Sequence, residues 1–335
     1  MSLPNAVVES VAAATPTFTG VATVDGPNGR ELELATGLAH RALAVPMTPQ
    51  TRIGIASGSK TFTAIIALRL AQRGLLALDA PVRNWLGDDL PLIAPGVTLE
   101  QLLTHTSGIG DYLDEDIVGD NDYILSEPVH RLTTSEAFLP MLEGHEQRDE
   151  PGSTFRYNNG GLVVAAIIEE RVTGSTYAEL VAAEVAGPAG LSKTGILRTD
   201  SLPGDVALGY IDTEGDQSNL LHLPVLASGD GGAFTTADDV HAFWLALVRG
   251  ELVTAEDLAH MTRPRNYSES ENMRYGLGLW LHPSGRSLIL EGCDAGQSFR
   301  STHDPVTGLT ATVFGNTARN AWNMIDALAP LFDAA

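Results

Sequence analysis

The chain has 335 residues, 44% hydrophobic and 19% charged, which suits a folded globular protein and excludes wholesale disorder. Its 42 acidic and 20 basic residues leave a formal net charge of -22. Such a surface repels nucleic acid phosphates and anionic membranes, so neither is an expected partner. One cysteine, Cys293, excludes an intramolecular disulfide and any multi-cysteine metal site.

The stretch Met1–Ala14 has no basic segment and carries Glu9 inside its apolar run, unlike a secretory signal. No run reaches the ~18 apolar residues that a membrane span needs. A cytoplasmic protein is the expectation. Length alone allows one large domain or two, and the sequence carries no sign of oligomeric state.

In chain order, Phe18–Val24 and Glu31–Leu38 predict two short strands joined by the turn Asp25-Gly26-Pro27-Asn28-Gly29. The period changes at Ser57. Phe62, Ile65, Ile66, Leu68, Leu70 and Ala71 predict a buried helix that Gly74 ends. Further helices are predicted at Thr98–Thr104, Gly160–Thr173, Tyr177–Val185 and Ala237–Arg249. Strand patterns return at Gly276–His282, Ser287–Glu291 and Leu309–Gly315, and an amphipathic helix covers Asn320–Phe332. Strands at both ends therefore bracket a helical middle. The economical fold is α+β, an antiparallel sheet built from both termini and flanked by helices. Residues 1–79 and 271–335 would form this sheet domain, and 80–270 a mostly helical inserted domain, with ligands bound in the cleft between them.

The chemistry begins at Ser57-Gly58-Ser59-Lys60. A serine and a lysine three residues apart at a helix start share one face, within reach of each other. A serine hydroxyl attacks a carbonyl only when a neighbouring base takes its proton. Lysine can do so when burial and a helix N-terminus lower its pKa, and the same N-terminus offers a backbone N–H to an oxyanion. Only two of the 20 basic residues are lysines, Lys60 and Lys193; the rest are arginines. Arginine cannot give up its proton, so a lysine kept at this helix start points to proton chemistry.

The segment Arg52-Ile53-Gly54-Ile55-Ala56-Ser57-Gly58-Ser59-Lys60-Thr61-Phe62-Thr63-Ala64 resembles the nucleophile region of the serine β-lactamase and penicillin-binding-protein superfamily. The likeness is to the class C β-lactamase branch, which also holds DD-peptidases and family VIII-type esterases. Val97-Thr98-Leu99-Glu100-Gln101-Leu102-Leu103-Thr104-His105-Thr106-Ser107-Gly108 is a second match. Pro151-Gly152-Ser153-Thr154-Phe155-Arg156-Tyr157-Asn158-Asn159 is a third and contains the branch's Tyr-x-Asn motif. The resemblance runs from about residue 17 to the C-terminus, and it implies a β-lactamase/transpeptidase-like fold. It also implies that Ser57 attacks, that Lys60 and Tyr157 exchange protons with it, and that Asn159 hydrogen-bonds Lys60 and the substrate's acyl side.

Lys193-Thr194-Gly195 spells the superfamily's third motif but lies in the helical middle, whereas that motif sits on a strand lining the cleft. His105 falls in a segment that the resemblance makes structural. No Gly-x-Ser-x-Gly elbow is present, which argues against an α/β-hydrolase. The third-motif strand is expected near Leu290–Phe299, where relatives carry Lys-Thr-Gly or His-x-Gly. Registering on Phe299 puts Gly292 at the cation's position and Asp294 at the glycine's; a shift by one puts Glu291 there instead. Substrate contacts are thus expected from Asn159, Glu291, Gly292, Asp294 and Ala295, with the usual cation missing. An acid there repels a β-lactam or peptide carboxylate. Asp111, Asp114, Glu115, Asp116, Asp120 and Asp122 form an acidic stretch expected to be mainly solvated surface.

The sequence thus predicts a serine hydrolase acting through an acyl-enzyme on a small-molecule ester, amide or peptide, with no metal or organic cofactor. Carboxylesterase or D-amino-acid-type peptidase/amidase activity is the first reading. A β-lactamase or penicillin-binding DD-carboxypeptidase is the second, and a non-catalytic scaffold that keeps the fold is the third.

Overall fold

The computed structural model describes residues 3–115, 117, 123–283 and 285–333. Two strands from the start of the chain, β1 (Gly20–Gly26) and β2 (Gly29–Thr36), join six from its end. These are β3 (Asn266–Ser268), β4 (Met273–Tyr275), β5 (Trp280–Leu281), β6 (Leu288–Asp294), β7 (Gln297–His303) and β8 (Thr310–Gly315). Together they form one eight-stranded sheet in the order β2-β1-β8-β7-β6-β5-β4-β3, antiparallel throughout. The two ends of the chain meet where β1 pairs with β8, Gly20 opposite Gly315.

Helix α1 (Asn5–Ala14) and helix α5 (Trp322–Leu328) cover one face of the sheet. Val7, Val11 and Ala14 of α1 pack with Met324, Ile325 and Leu328 of α5. Their spacing along α1 is that of one helical face, yet the sequence analysis assigned no helix here. On the other side lies helix α2 (Lys60–Gln72), in which ten of 13 residues are buried, Lys60 among them. A helix apolar on every side belongs in the interior, and α2 is the centre of the large core it shares with helix α3 (Asn159–Thr173) and helix α4 (Ala237–Val248).

Several expected elements change on folding. Gly276–His282 contracts to the two residues of β5, because Leu277 and Gly278 give their N–H groups to Met261 and Leu103 at 2.9 and 3.0 Å. The sheet resumes at Asn266, before the expected boundary at 271, since β3 pairs with β4. The helix expected at Tyr177–Val185 is α-helical over Tyr177–Val181 and continues as a π-turn over Ala182–Ala186. The last helix spans Trp322–Leu328, with a 3-10 turn over Ala329–Leu331. Strand β7 overlaps the expected third-motif strand only at Gln297–Phe299 and runs on to His303. No described helix is long and apolar enough to cross a membrane.

Candidate active site

Residues 53–57 carry the chain from the short strand Ile53–Gly54 into α2 through a 3-10 turn, Ala56–Ser59. Ala56, just before Ser57, has φ 43°, a left-handed conformation that non-glycine residues rarely adopt and that functional turns tolerate. The turn is held from outside by Gly232, whose N–H donates to the Ala56 carbonyl at 3.0 Å.

One helical turn on, Lys60 Nζ lies 2.6 Å from Ser57 Oγ, 2.7 Å from Asn159 Oδ1 and 2.5 Å from the Asp230 carbonyl oxygen. The Asn159 amide is oriented by its own Nδ2, which donates to the Leu113 carbonyl and to Glu115 at 2.9 Å each. Two of the three partners of Lys60 are therefore pure acceptors. A neutral amine gives them its two N–H bonds and turns its lone pair to the Ser57 hydroxyl, as a general base must. Burial pulls the Lys60 pKa below its ordinary value, while Asp230, Glu115, Asp111 and Asp294 pull the other way.

Tyr157 comes from the segment before α3 and lines the same cleft as Ser57. Burial chiefly, and Glu115 next, keep its phenol neutral by raising its pKa well above the usual value. Its ring stacks on Trp280 (centroids 5.9 Å apart, 11° between planes) and rests against His105 at 4.4 Å. His105 itself makes no bond to Ser57. Its Nδ1 accepts the Asn158 N–H at 3.1 Å, so its proton is on Nε2, which faces the Tyr275 hydroxyl at 3.1 Å. Burial holds its pKa well below the normal range. His105 therefore fixes the loop that carries Tyr157.

Asp111 is buried, not solvated: its carboxylate accepts the N–H groups of Asn159 (2.6 Å) and Gly160 (2.8 Å) at the start of α3. Burial raises its pKa to about 7. Asp114 pairs with Arg148, and Glu115 stands in the cleft. Asp116, Asp120 and Asp122 lie outside the described residues.

The third-motif region is a hairpin, not a single strand. A two-residue turn, Ala295-Gly296, closes on the pair Asp294–Gln297, so the hydrogen-bonded pairs of β6 and β7 fall at even positions of β6. Gly292, Asp294, Gln297 and Phe299 then share the face that packs on the nucleophile turn, while Glu291, Cys293 and Arg300 project from the other. The same register turns the main-chain N–H of Cys293 away from β7, beyond the end of β5.

This corrects the sequence register. A Cβ on Gly292 would stand 2.3 Å from the Ile55 carbonyl oxygen and 2.6 Å from Ser57 N, so no cation can occupy that position. Gly292 is where the motif's glycine belongs, and two residues earlier the buried Leu290 replaces the cation. Ala295 is also corrected. It is a fully buried residue of the turn itself, its carbonyl accepting from Asn219 Nδ2 at 2.8 Å, and it does not line the cleft. Glu291 borders the cleft but is ion-paired with Arg300. Asp294 does face the cleft, where the Tyr123 hydroxyl donates to it and burial raises its pKa to about 6.

The cleft measures 660 Å³ and is lined by Ser57, Tyr157, Asn159, Asp230, Trp280 and Asp294, among others. Sequence reasoning missed Asp230 and Trp280. The run Ser228-Gly229-Asp230-Gly231-Gly232 was the available signal, because such glycines allow close backbone approach: a Cβ on Gly229 would stand 2.2 Å from the Leu162 carbonyl oxygen. Lys193 lies elsewhere, its Nζ 2.7 Å from Asp205 in an exposed ion pair. Lys193→Ala is expected to change kcat/KM by less than about twofold in an ester assay, since exposed pairs of this kind contribute little. Among the described residues, no group of three or more His, Cys, Asp or Glu could hold a metal ion.

An antiparallel sheet built from both chain ends, with a buried helix that presents Ser57 and Lys60 to Tyr157 and Asn159, defines a β-lactamase/transpeptidase-like protein. A family model described as Beta-lactamase matches residues 8–334, and the chain belongs to that family. A solved structure of a penicillin-binding protein from Bacillus halodurans is 33% identical, with a TM-score of 0.88, covering 97% of this chain and all of that one. Esterase EstB of Burkholderia gladioli is 34% identical over 218 residues, 59% of this chain and 52% of the esterase. Penicillin-binding protein 4* of Bacillus subtilis (strain 168) is 26% identical over 263 residues, 74% of this chain and 56% of that protein. The chain thus spans just over half the length of these two curated relatives.

Proposed function

We propose that this chain is a serine hydrolase acting through an acyl-enzyme on an ester or amide. The observation that carries the reading is the buried Lys60 amine, with two acceptor-only partners and Ser57 Oγ at 2.6 Å. Ser57 attacks the substrate carbonyl as Lys60 takes its proton, and main-chain N–H groups of the nucleophile turn and the β6 edge face the developing oxyanion. Tyr157, kept neutral by burial in the same cleft as Ser57, passes a proton to the leaving group, and water then releases the acyl group with Lys60 and Tyr157 as base. A scaffold that only binds has no need of a titratable lysine placed this way.

Efficient β-lactamase or DD-carboxypeptidase action is disfavoured. Leu290 stands where relatives carry the cation that holds a substrate carboxylate, and Asp294 adds negative charge nearby. The test is a panel of p-nitrophenyl acetate, amino acid p-nitroanilides and nitrocefin, with intact-mass detection of the acyl-enzyme. The expected result is ester turnover with a covalent adduct on Ser57, and kcat/KM for nitrocefin at least about tenfold below that for the ester. Nitrocefin hydrolysed with the efficiency of a dedicated β-lactamase would overturn the substrate assignment. Turnover without any Ser57 adduct would overturn the mechanism.

A further inference from the structure

The charge on the cleft lining is mainly acidic; Arg156, paired with Asp149, is the one cation among the described lining residues. Asp230, Asp294 and Glu115 line it and act on Lys60 from three directions: the loop before the short strand Ala233–Thr235, the end of β6, and the loop that follows the helix Leu99–Leu103. Asp111 acts on Lys60 from behind, as the cap of α3, and Glu269 and Glu271 extend the same sign along the lining. Among the described residues the other groups facing Lys60 are uncharged: Ser57 and Asn159, which bond it, Tyr157, whose ring centroid is 4.9 Å from Nζ, and neutral His105. Asp230 accepts from the Tyr112 hydroxyl, and Asp294 from the Tyr123 hydroxyl and the Ala295 N–H. These donors hold the carboxylates in place without neutralising them.

A second observation points to a ligand. Gln297, opposite Asp294 on the hairpin and on the same face, lines the cleft with its side chain buried, and among the described residues none donates to its Oε1. A buried acceptor without a donor is costly, about 1–3 kcal/mol, unless a ligand supplies the donor.

We propose that Asp294, Asp230, Glu115 and Gln297 form a subsite for a protonated amine, and that the substrate is an ester or amide carrying such a group. The inference rests on the serine hydrolase reading and adds a role for the bound charge. In the free enzyme the three carboxylates favour the protonated form of Lys60, the form that cannot act as base. A bound ammonium offsets them, lowers the proton affinity of Lys60 and so activates the nucleophile. Substrates that bring the cation are favoured in turnover as well as in binding.

The sign gives the pH test. Turnover rises with pH as Lys60 loses its proton, so kcat/KM reports this limb in the free enzyme and kcat reports it in the complex. For a cationic substrate the kcat limb lies at lower pH than the limb measured in kcat/KM with a neutral ester. For a neutral substrate the two limbs coincide.

The experiment compares the p-nitrophenyl esters of ε-aminocaproate, heptanoate and adipate, which are cationic, neutral and anionic. In wild type, kcat/KM is expected to fall in that order, by about tenfold or more from first to last. Asp294→Asn, and separately Glu115→Gln, should reduce the aminocaproate/heptanoate ratio severalfold. Each should also move the heptanoate limb to lower pH, a shift that lost packing would not produce. Equal kcat/KM for the three esters, or a preference for adipate, overturns the subsite; Ser57→Ala inactive on all three would show that the hydrolase reading survives. Heptanoate turnover that persists in Ser57→Ala overturns that reading itself.

Discussion

Ser57→Ala is expected to leave no measurable ester hydrolysis, a loss of about 10⁴-fold or more, and no labelling by a fluorophosphonate. The hydroxyl is the atom that forms the covalent bond, and among the described residues no other serine or threonine side chain is hydrogen-bonded to Lys60 Nζ. The fold should survive, because Ser57 is only partly buried and its side chain bonds Lys60 rather than the core. The measurement pairs kcat on p-nitrophenyl acetate with intact mass after labelling and a thermal melt. A folded variant that keeps wild-type turnover or still takes up label would sink the nucleophile assignment.

Tyr157→Phe is expected to lose about 10²–10⁴ in kcat while melting near the wild-type temperature. The substitution removes only the hydroxyl; the ring keeps its stack on Trp280 and its contact with His105. Lys60→Met should lose at least as much, and should also cost stability. Without the amine, Asn159 Oδ1 and the Asp230 carbonyl have lost a buried donor, at about 1–3 kcal/mol for each one left unmet. The two variants differ usefully, since Tyr157→Phe separates chemistry from folding and Lys60→Met does not. Stopped-flow acylation with p-nitrophenyl acetate would show which half-reaction is slowed. Full activity in Tyr157→Phe would remove that residue from the mechanism.

The third-motif region shows how far a linear reading reaches. Registering on Phe299 gave Gly292 the cation's place because counting residues cannot see the turn at Ala295-Gly296. In a strand a shift of one residue moves every side chain to the other face, and a shift of two moves it along the cleft wall. The hairpin pairing settles both. Glu291 goes to the far face and its ion pair with Arg300, Asp294 enters the cleft, and Gly292 meets the backbone at Ser57.

What the sequence determined by itself is what short-range geometry governs. Ser57 and Lys60 lie one helical turn apart, so their contact follows once α2 forms. The hairpin of β1 and β2 follows from alternating apolar residues around a glycine-rich turn. The burial of α2 follows from its being apolar on every side. Tertiary structure decided the rest. Strand β7 reads as polar, Gln-Ser-Phe-Arg-Ser-Thr-His, yet it runs through the middle of the sheet. Several of its polar groups can be buried there because residues outside the strand bond them: Ser298 donates to the Thr317 carbonyl, Ser301 accepts from Trp244, and His303 Nδ1 meets Thr310. The charge around Lys60 was hidden for the same reason. Asp230 lies 170 positions along the chain from Lys60, and it reaches the amine through a backbone carbonyl, which every residue possesses and no residue pattern reveals.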